Sequence, residues 1–492
     1  MVESIPTPDD VLIIGAGPAG LTAAYLLSGK GKLKIRILEA DPLHVGGISR
    51  TESYKGFLFD IGGHRFFTKS KAVEDLWREI MPHDFIMRSR ISRIYYQHKF
   101  YSYPLRAVEA LRNLGVVEST LCMTSYIWSR LLPIKPARSF ADWVSNKFGA
   151  RLFRIFFKTY TEKIWGMSCD EISADWAAQR IKGLNLSRAV WAGLRRSLGQ
   201  KPVSKDGKVI KTLIETFHYP RRGPGMMWET AAAKIRAQGG IIGMGLKAVS
   251  FSWDDIQKLW TVTAEDRDKN RHTFRARHVV SSAPMRDVVT AVQPEAKTAA
   301  MAQQLRYRDF LTVAVMLDEP PSFTDNWIYV HDPDVKVGRI QNFASWSPDM
   351  VPDSKKGCLG LEYFCFENDG LWNMKDDELV DLACRELEAL GLAQRRHIFD
   401  GCVVRQPKAY PVYDDVYKEA VAAIREEFTR RFPTLHFVGR NGMHKYDNQD
   451  HAMMTAMLTA ENILAGCRKY DIWLVNEDAE YHEETKEDTS LP

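Results

Sequence analysis

The run Val11–Leu27, VLIIGAGPAGLTAAYLL, confines the start of this chain to one local architecture: an apolar strand, spaced glycines at Gly15, Gly17 and Gly20, then a helix. Each glycine answers a separate steric demand. Gly15 makes the tight turn, and Gly17, followed by Pro18 and Ala19, lets a pyrophosphate approach the backbone. Gly20 lets the helix pack on the strand with its N-terminal amides toward the phosphates. The next apolar run, Leu33–Leu38, ends at Glu39, where a carboxylate can bind ribose hydroxyls and repel a 2′-phosphate. The segment therefore predicts a site for FAD or NAD rather than NADP.

Two more glycine pairs follow, in Gly46-Gly47-Ile48-Ser49-Arg50 and Asp60-Ile61-Gly62-Gly63-His64. Such pairs let backbone lie flat against an extended ligand, and FAD is the longer of the two candidates. Together these motifs resemble the FAD-binding pattern of the flavin amine oxidase and protoporphyrinogen oxidase superfamily. Gly240–Val249 and then Val279–Pro284 resemble that superfamily's adenine-contacting strand and its return to the dinucleotide domain, with Val249 at the matching position.

A chain of 492 residues is long enough for two or three domains with substantial cores. Its 67 basic and 62 acidic residues are well mixed apart from an acidic tail, so nucleic acid is not an implied partner. The seven cysteines are scattered, with no CxxC or metal-ligand spacing, and no metal is expected. No basic n-region precedes the first apolar run, and no apolar run reaches the ~20 residues of a membrane span. A reduced, cytoplasmic protein is the expectation.

Val73, Leu76, Trp77 and Ile80 recur at helical spacing before Pro82, and Ile91–Tyr103 alternates as a strand or hairpin. From Leu105 the pattern turns helical, with Ser139 and Asp142 as an N-terminal box, Gly149 as a stop, and Phe153, Phe156, Phe157 and Tyr160 as one aromatic face. Thr312–Leu317, Trp327–Val330, Val337–Phe343 and Cys358–Phe366 read as strands of an antiparallel sheet. The predicted fold is α/β: a discontinuous Rossmann-like FAD-binding domain (9–100, 205–300 and 425–470), an inserted helical domain (105–200) and an antiparallel β-sheet substrate domain (301–424). Residues 471–492 are expected to form an acidic, disordered tail.

Outside the dinucleotide core, alternation puts Trp327, Tyr329 and His331 on one face of a strand, and Arg339 with Gln341 on one face of another. These faces suit a pocket better than a core, and the planar fork of arginine suits phosphate oxygens.

Tyr160–Trp165 (YTEKIW), Gln179-Arg180-Ile181, Phe217–Gly225 (FHYPRRGPG), Gly338-Arg339-Ile340, Lys408–Pro411 (KAYP) and Gly439–His451 (GRNGMHKYDNQDH) occur in the order seen in UDP-galactopyranose mutases. The chain resembles that family from about Val11 to Leu464, most closely its eukaryotic branch. The resemblance implies that Arg180 and Arg339 clamp a substrate diphosphate, with Tyr160, Tyr329, Tyr410 and Tyr446 around it and Trp165 as an aromatic wall. It places Asn448 and Gln449 between flavin and sugar, Arg440 against the flavin domain, and His64 in a redox-responsive loop. A helix starting near Asn448 would point its positive end at the flavin.

The implied activity is interconversion of pyranose and furanose forms of a nucleotide sugar through a reduced-flavin N5–sugar adduct, with no net redox. The alternative is an FAD-dependent oxidoreductase of the amine oxidase or protoporphyrinogen oxidase type. No second glycine fingerprint marks an NAD(P)H site, which leaves the source of electrons open, an external reductant such as NAD(P)H being one option. Ser345-Trp346-Ser347-Pro348 and the Arg221–Gly225 loop depart from the family on the substrate side, which leaves sugar and nucleotide open.

Overall fold

The first apolar run forms the strand Asp9–Ile14 inside a seven-stranded sheet. The computed structural model describes residues 7–29, 32–103, 105–174 and 216–475 of the chain. In this first sheet Asp9–Ile14 lies between Ile35–Glu39 and the long strand Arg271–Ser281, parallel to both, and Ile241–Met244 continues the parallel order beyond Ile35–Glu39. A parallel strand must be reached by a crossover, and the helix Pro18–Gly29 supplies the first one. It is buried along most of its length against the helices Gly225–Ala237 and Gln449–Ala465. The other edge is an antiparallel meander of Lys247–Asp254, Leu259–Glu265 and Arg271–Ser281, with Leu435–Phe437 pairing the end of the last strand.

The second sheet also has seven strands, in the order Ile398–Pro411, Tyr307–Leu317, Gly357–Cys365, Arg339–Asn342, Trp327–Val330, Ser92–Tyr96, Lys99–Ser102. Successive side chains alternate between its faces. One face presents Leu311, Val313, Ile328, Ile340 and Leu361 to the helix Asp376–Ala389 and forms a closed apolar core. The opposite face carries Thr312, Glu362, Arg339 and Tyr329 in register across neighbouring strands. A charged row on a sheet face needs a polar partner, and this row supplies the candidate site.

Several expectations are corrected. The hairpin at 92–102, read as part of the first dinucleotide-binding segment, joins the second sheet by pairing parallel with Trp327–Val330, so that sheet is not wholly antiparallel. The expected strand Gly240–Val249 is two strands at opposite edges of the first sheet, because Gly245 adopts φ +70° and turns the chain. Phe343 closes no strand and instead opens the short helix Phe343–Trp346. Residues 471–475, expected to open the tail, are packed instead: Asp471 pairs with Arg425 at 2.6 Å, and the Trp473 carbonyl accepts from Lys445 at 2.9 Å, while the rest of that expectation lies outside the described residues.

In the helical region Ser139 and Asp142 form the expected reciprocal box, and the helix Phe140–Phe148 stops at Gly149. The aromatic residues beyond it do not share one face. A π-helical turn at Arg154–Lys158 rotates them. Phe153 then meets Phe140, Phe156 meets Tyr101, Phe157 stacks on Phe148, and Tyr160 turns toward Tyr329 and His331. Among the described residues no helix is long and apolar enough to cross a membrane.

Candidate active site

A cleft of about 300 Å³ runs along the C-terminal ends of the parallel strands, where open α/β sheets bind ligands. Gly15, Gly17, Pro18, Ala19, Glu39, Gly47, Ile48 and Ser49 line it from the first motifs, and His64, Gly439, Arg440, Asn448 and Gln449 from the later ones. Gly15 holds φ +95°, and a Cβ there would stand 2.4 Å from the Ser282 Oγ. Gly20 is behind the wall: a Cβ would fall 1.9 Å from the Gly15 carbonyl oxygen, so its role is helix-to-strand packing. Gly46 is also behind the wall, and its amide donates to the Ala16 carbonyl at 2.7 Å.

Glu39 accepts from the Ala16 amide at 2.5 Å and the Asp41 amide at 2.8 Å. Burial raises its carboxyl, and these amides pull the value back down. Val249 sits at a β-bulge between Ala248 and Ser250, which removes it from the strand's alternation. Leu246, Lys247, Ala248 and Phe251 around it line the cleft.

Asn448 caps the helix Gln449–Ala465, whose first turn therefore faces the cleft as expected. The Gln449 amide donates to the Arg65 carbonyl at 3.0 Å. The Gln449 Oε1 and Asn441 Oδ1 are buried without a hydrogen-bond partner among the described residues, and both residues line the cleft. These oxygens, the Gly17–Gly47 cradle and the Glu39 carboxylate fit a dinucleotide with a hydrogen-bonding ring system.

The His64 Nδ1 lies 3.2 Å from the Gly62 carbonyl. Burial, then the charge of Arg440, pulls its pKa down to about 3, so the imidazole is neutral near pH 7. Gly63 is exposed, and a Cβ there would stand 3.0 Å from Trp327 and 3.4 Å from Trp346. Gly62 turns the loop at φ +84°, and His64 just after it lines the cleft.

Beyond His64 lies the polar face of the second sheet. The Arg339 Nε donates to the Glu362 Oε2 at 2.7 Å, and Gln341 donates to the other carboxylate oxygen at 2.8 Å. Glu362 is only 1 % exposed. Burial raises its carboxyl while Arg339 and Gln341 lower it, and the carboxylate in turn keeps Arg339 protonated against burial. Arg339 is thus paired within the sheet through Nε, because its cross-strand neighbour is an acid. The Arg339 Nη2 reaches the Tyr410 hydroxyl at 3.2 Å, and Nη1 has no hydrogen-bond partner among the described residues.

Tyr410 stacks on Tyr446 at 5.7 Å, and the Arg440 guanidinium lies 5.0 Å and 5.2 Å from those rings. Arg440 is anchored by the Asp447 carbonyl at 2.8 Å. Tyr160 lies 5.6 Å from Tyr329 and stacks on His331 at 4.7 Å. Burial raises the phenols of Tyr160 and Tyr410, which keeps them protonated donors.

Of the residues named from the sequence, Arg339, Tyr160, Tyr329, Tyr410, Tyr446, Arg440 and His64 cluster here. Trp165 is buried in the helical region's core beside the left-handed stop at Gly166. Arg180 lies outside the described residues. Glu362 was missed, although a lone acid inside the apolar run Gly357–Cys365 is a readable sign of a buried partner. Lys408 and Asp287, paired at the cleft wall, had no such signal.

The fold and cleft define a flavoprotein with a Rossmann-like FAD domain and a second-sheet substrate region. A flavin containing amine oxidoreductase family model matches residues 18–464; the chain belongs to that family, and its cofactor is FAD. The crystal structure of reduced UDP-galactopyranose mutase superposes with a TM-score of 0.79 over 97 % of each chain at 19 % identity. Putrescine oxidase bound to putrescine gives 0.59 over 93 % of this chain and 99 % of that one at 16 % identity. In sequence, 130 residues are 30 % identical to an L-amino-acid oxidase of Echis ocellatus, covering 23 % of this chain and 25 % of that protein. The solved structures share the fold; the curated relative shares about a quarter of its length.

Proposed function

We propose that this protein is a flavin-dependent mutase that interconverts pyranose and furanose forms of a nucleotide sugar without net redox. The observation that carries the reading is the row of Arg339, Tyr410, Tyr446, Tyr160 and Tyr329 next to His64 and Arg440. A cation surrounded by protonated phenols suits a polyhydroxylated anion and offers little to an apolar amine. Reduced FAD, when bound, supplies an electron-rich nucleophile at the sugar-facing end of the cleft.

The chain's residues do the rest. The Arg339 Nη1 and the Tyr410 and Tyr446 hydroxyls hold diphosphate oxygens, stabilise the charge on the departing group and retain it for return. Tyr160 and Tyr329 bound the sugar and exclude water. His64, being neutral, adds no second positive charge, and the start of the helix at Asn448 favours negative charge on the flavin. Arg180, by resemblance, is the second half of the clamp.

The decisive experiment incubates reduced, FAD-loaded protein without oxygen with UDP-, GDP- and dTDP-hexoses and separates the products. A new isomer formed only by reduced protein, and lost in Arg339→Ala and Arg180→Ala, supports the proposal. No isomer from any sugar, with peroxide released from an amine or amino acid, overturns it in favour of an oxidoreductase. The Arg339–Glu362 ion pair is the observation favouring that second reading, since it leaves the site with less net positive charge.

A further inference from the structure

The helix Val116–Leu131 turns an apolar face away from the protein. Its packed side is formed by Glu118, which pairs with Arg151, by Cys122, which is buried, and by Ser125, which accepts from the Arg151 amide at 3.1 Å. Val117, Leu121, Trp128 and Leu131 follow at spacings of four, seven and three residues on the outer side, where Val117 is 76 %, Trp128 65 % and Leu131 70 % exposed. Leu132 and Ile134 continue the exposed surface beyond the helix. A single exposed leucine is ordinary; a contiguous convex strip with a tryptophan marks a contact surface.

The surrounding charge selects the partner. Arg112, Arg130, Lys135 and Arg138 are exposed around this strip, and none makes an ion pair among the described residues. Across residues 105–174 ten basic side chains stand against six acids, of which Glu118 is paired with Arg151 while Glu109 accepts from the Ser102 hydroxyl at 2.6 Å and Asp142 closes the helix box, so the region keeps a net positive charge. A second copy on the same face would set one net positive charge against another. We propose that this face docks on an anionic phospholipid bilayer, with the helix in the headgroup plane, the apolar strip against the acyl chains and the basic rim among lipid phosphates.

The test is flotation of the full, FAD-loaded chain with vesicles of phosphatidylcholine alone or with about a third phosphatidylglycerol. The chain should float with the anionic vesicles and be released by salt. W128S/L131S should cut the bound fraction about tenfold while flavin absorbance and melting stay unchanged, because both side chains are exposed. R130E/K135E should abolish the preference for anionic lipid. Failure of the wild-type chain to float overturns the proposal. So does a concentration-dependent dimer in sedimentation that W128S/L131S disperses, which would assign the strip to a second copy. The readout does not depend on turnover.

Discussion

In the first sheet the ligand wall is made largely of backbone. Gly15 turns the chain at φ +95°, Gly17 faces Gly47, and Gly439 leads into the loop before the helix at Gln449. In the second sheet the wall is made of side chains. Arg339, Glu362 and Tyr329 meet because their strands are in register, and Tyr410 arrives from a strand at the other edge. A backbone wall tolerates few residue types at each position, while a side-chain wall depends on partners far apart in the chain. The two regions should therefore fail differently.

The largest difference is expected at the glycines. In Gly20→Ala the new methyl meets the Gly15 carbonyl, a backbone group with nowhere to move, and the chain should lose its flavin and much of its stability. In Gly17→Ala the methyl is 3.9 Å from the Gly47 Cα, so the fold should survive and only FAD retention should fall. Flavin absorbance per protein and thermal melting distinguish the two. A fully flavinated Gly20→Ala protein would break the claim that this position is steric.

In the second sheet the sharpest test is Glu362→Gln. It leaves the Arg339 guanidinium without its carboxylate and should cost about 3–5 kcal/mol in urea unfolding. Replacing both partners, as Arg339→Met with Glu362→Leu, should recover most of that loss. If the single substitution were harmless, the pair would not organise this face.

This contrast also explains what could be read from the sequence. Gly15, Gly17 and Gly20 advertise their roles because strand, turn and helix are consecutive. The alternation that placed Arg339 beside Gln341 was local and held, since both donate to one carboxylate. That carboxylate belongs to another strand, and the register that brings Glu362 opposite Arg339 is set by long-range pairing. The bulge at Val249 and the π-helical turn before Tyr160 each shift a side chain by one residue, below what periodicity resolves. The hairpin at 92–102 joined the second sheet through a parallel pairing that no turn residue signals.

The pH dependence should differ by region as well. Burial, then the charge of Lys163, lowers His331 to about 3 from its ordinary 6.5. The unfolded chain takes up a proton below about 6.5, while the folded chain does not until about 3. Stability from this group is therefore full above 6.5 and lost as pH falls toward 3, by up to about 1.4 kcal/mol per pH unit. His331→Phe keeps the stack on Tyr160 and should flatten the acid slope of urea unfolding by one proton. An unchanged slope would show that this imidazole is already protonated in the folded chain.

The smallest effect separates two stacked phenols. The Tyr410 hydroxyl is reached by the Arg339 Nη2 at 3.2 Å, whereas Tyr446 joins the cluster through its ring against Tyr410 and the Arg440 guanidinium. On the proposed function, Tyr446→Phe leaves those ring contacts in place and should keep flavin content while weakening nucleoside diphosphate binding about fivefold, the worth of one hydrogen bond. Tyr410→Phe should weaken it more, because it also frees an Arg339 donor inside a buried site. If the order were reversed, the nucleoside diphosphate would lie nearer Arg440 than Arg339, and the charge that matters would belong to the flavin side of the cleft.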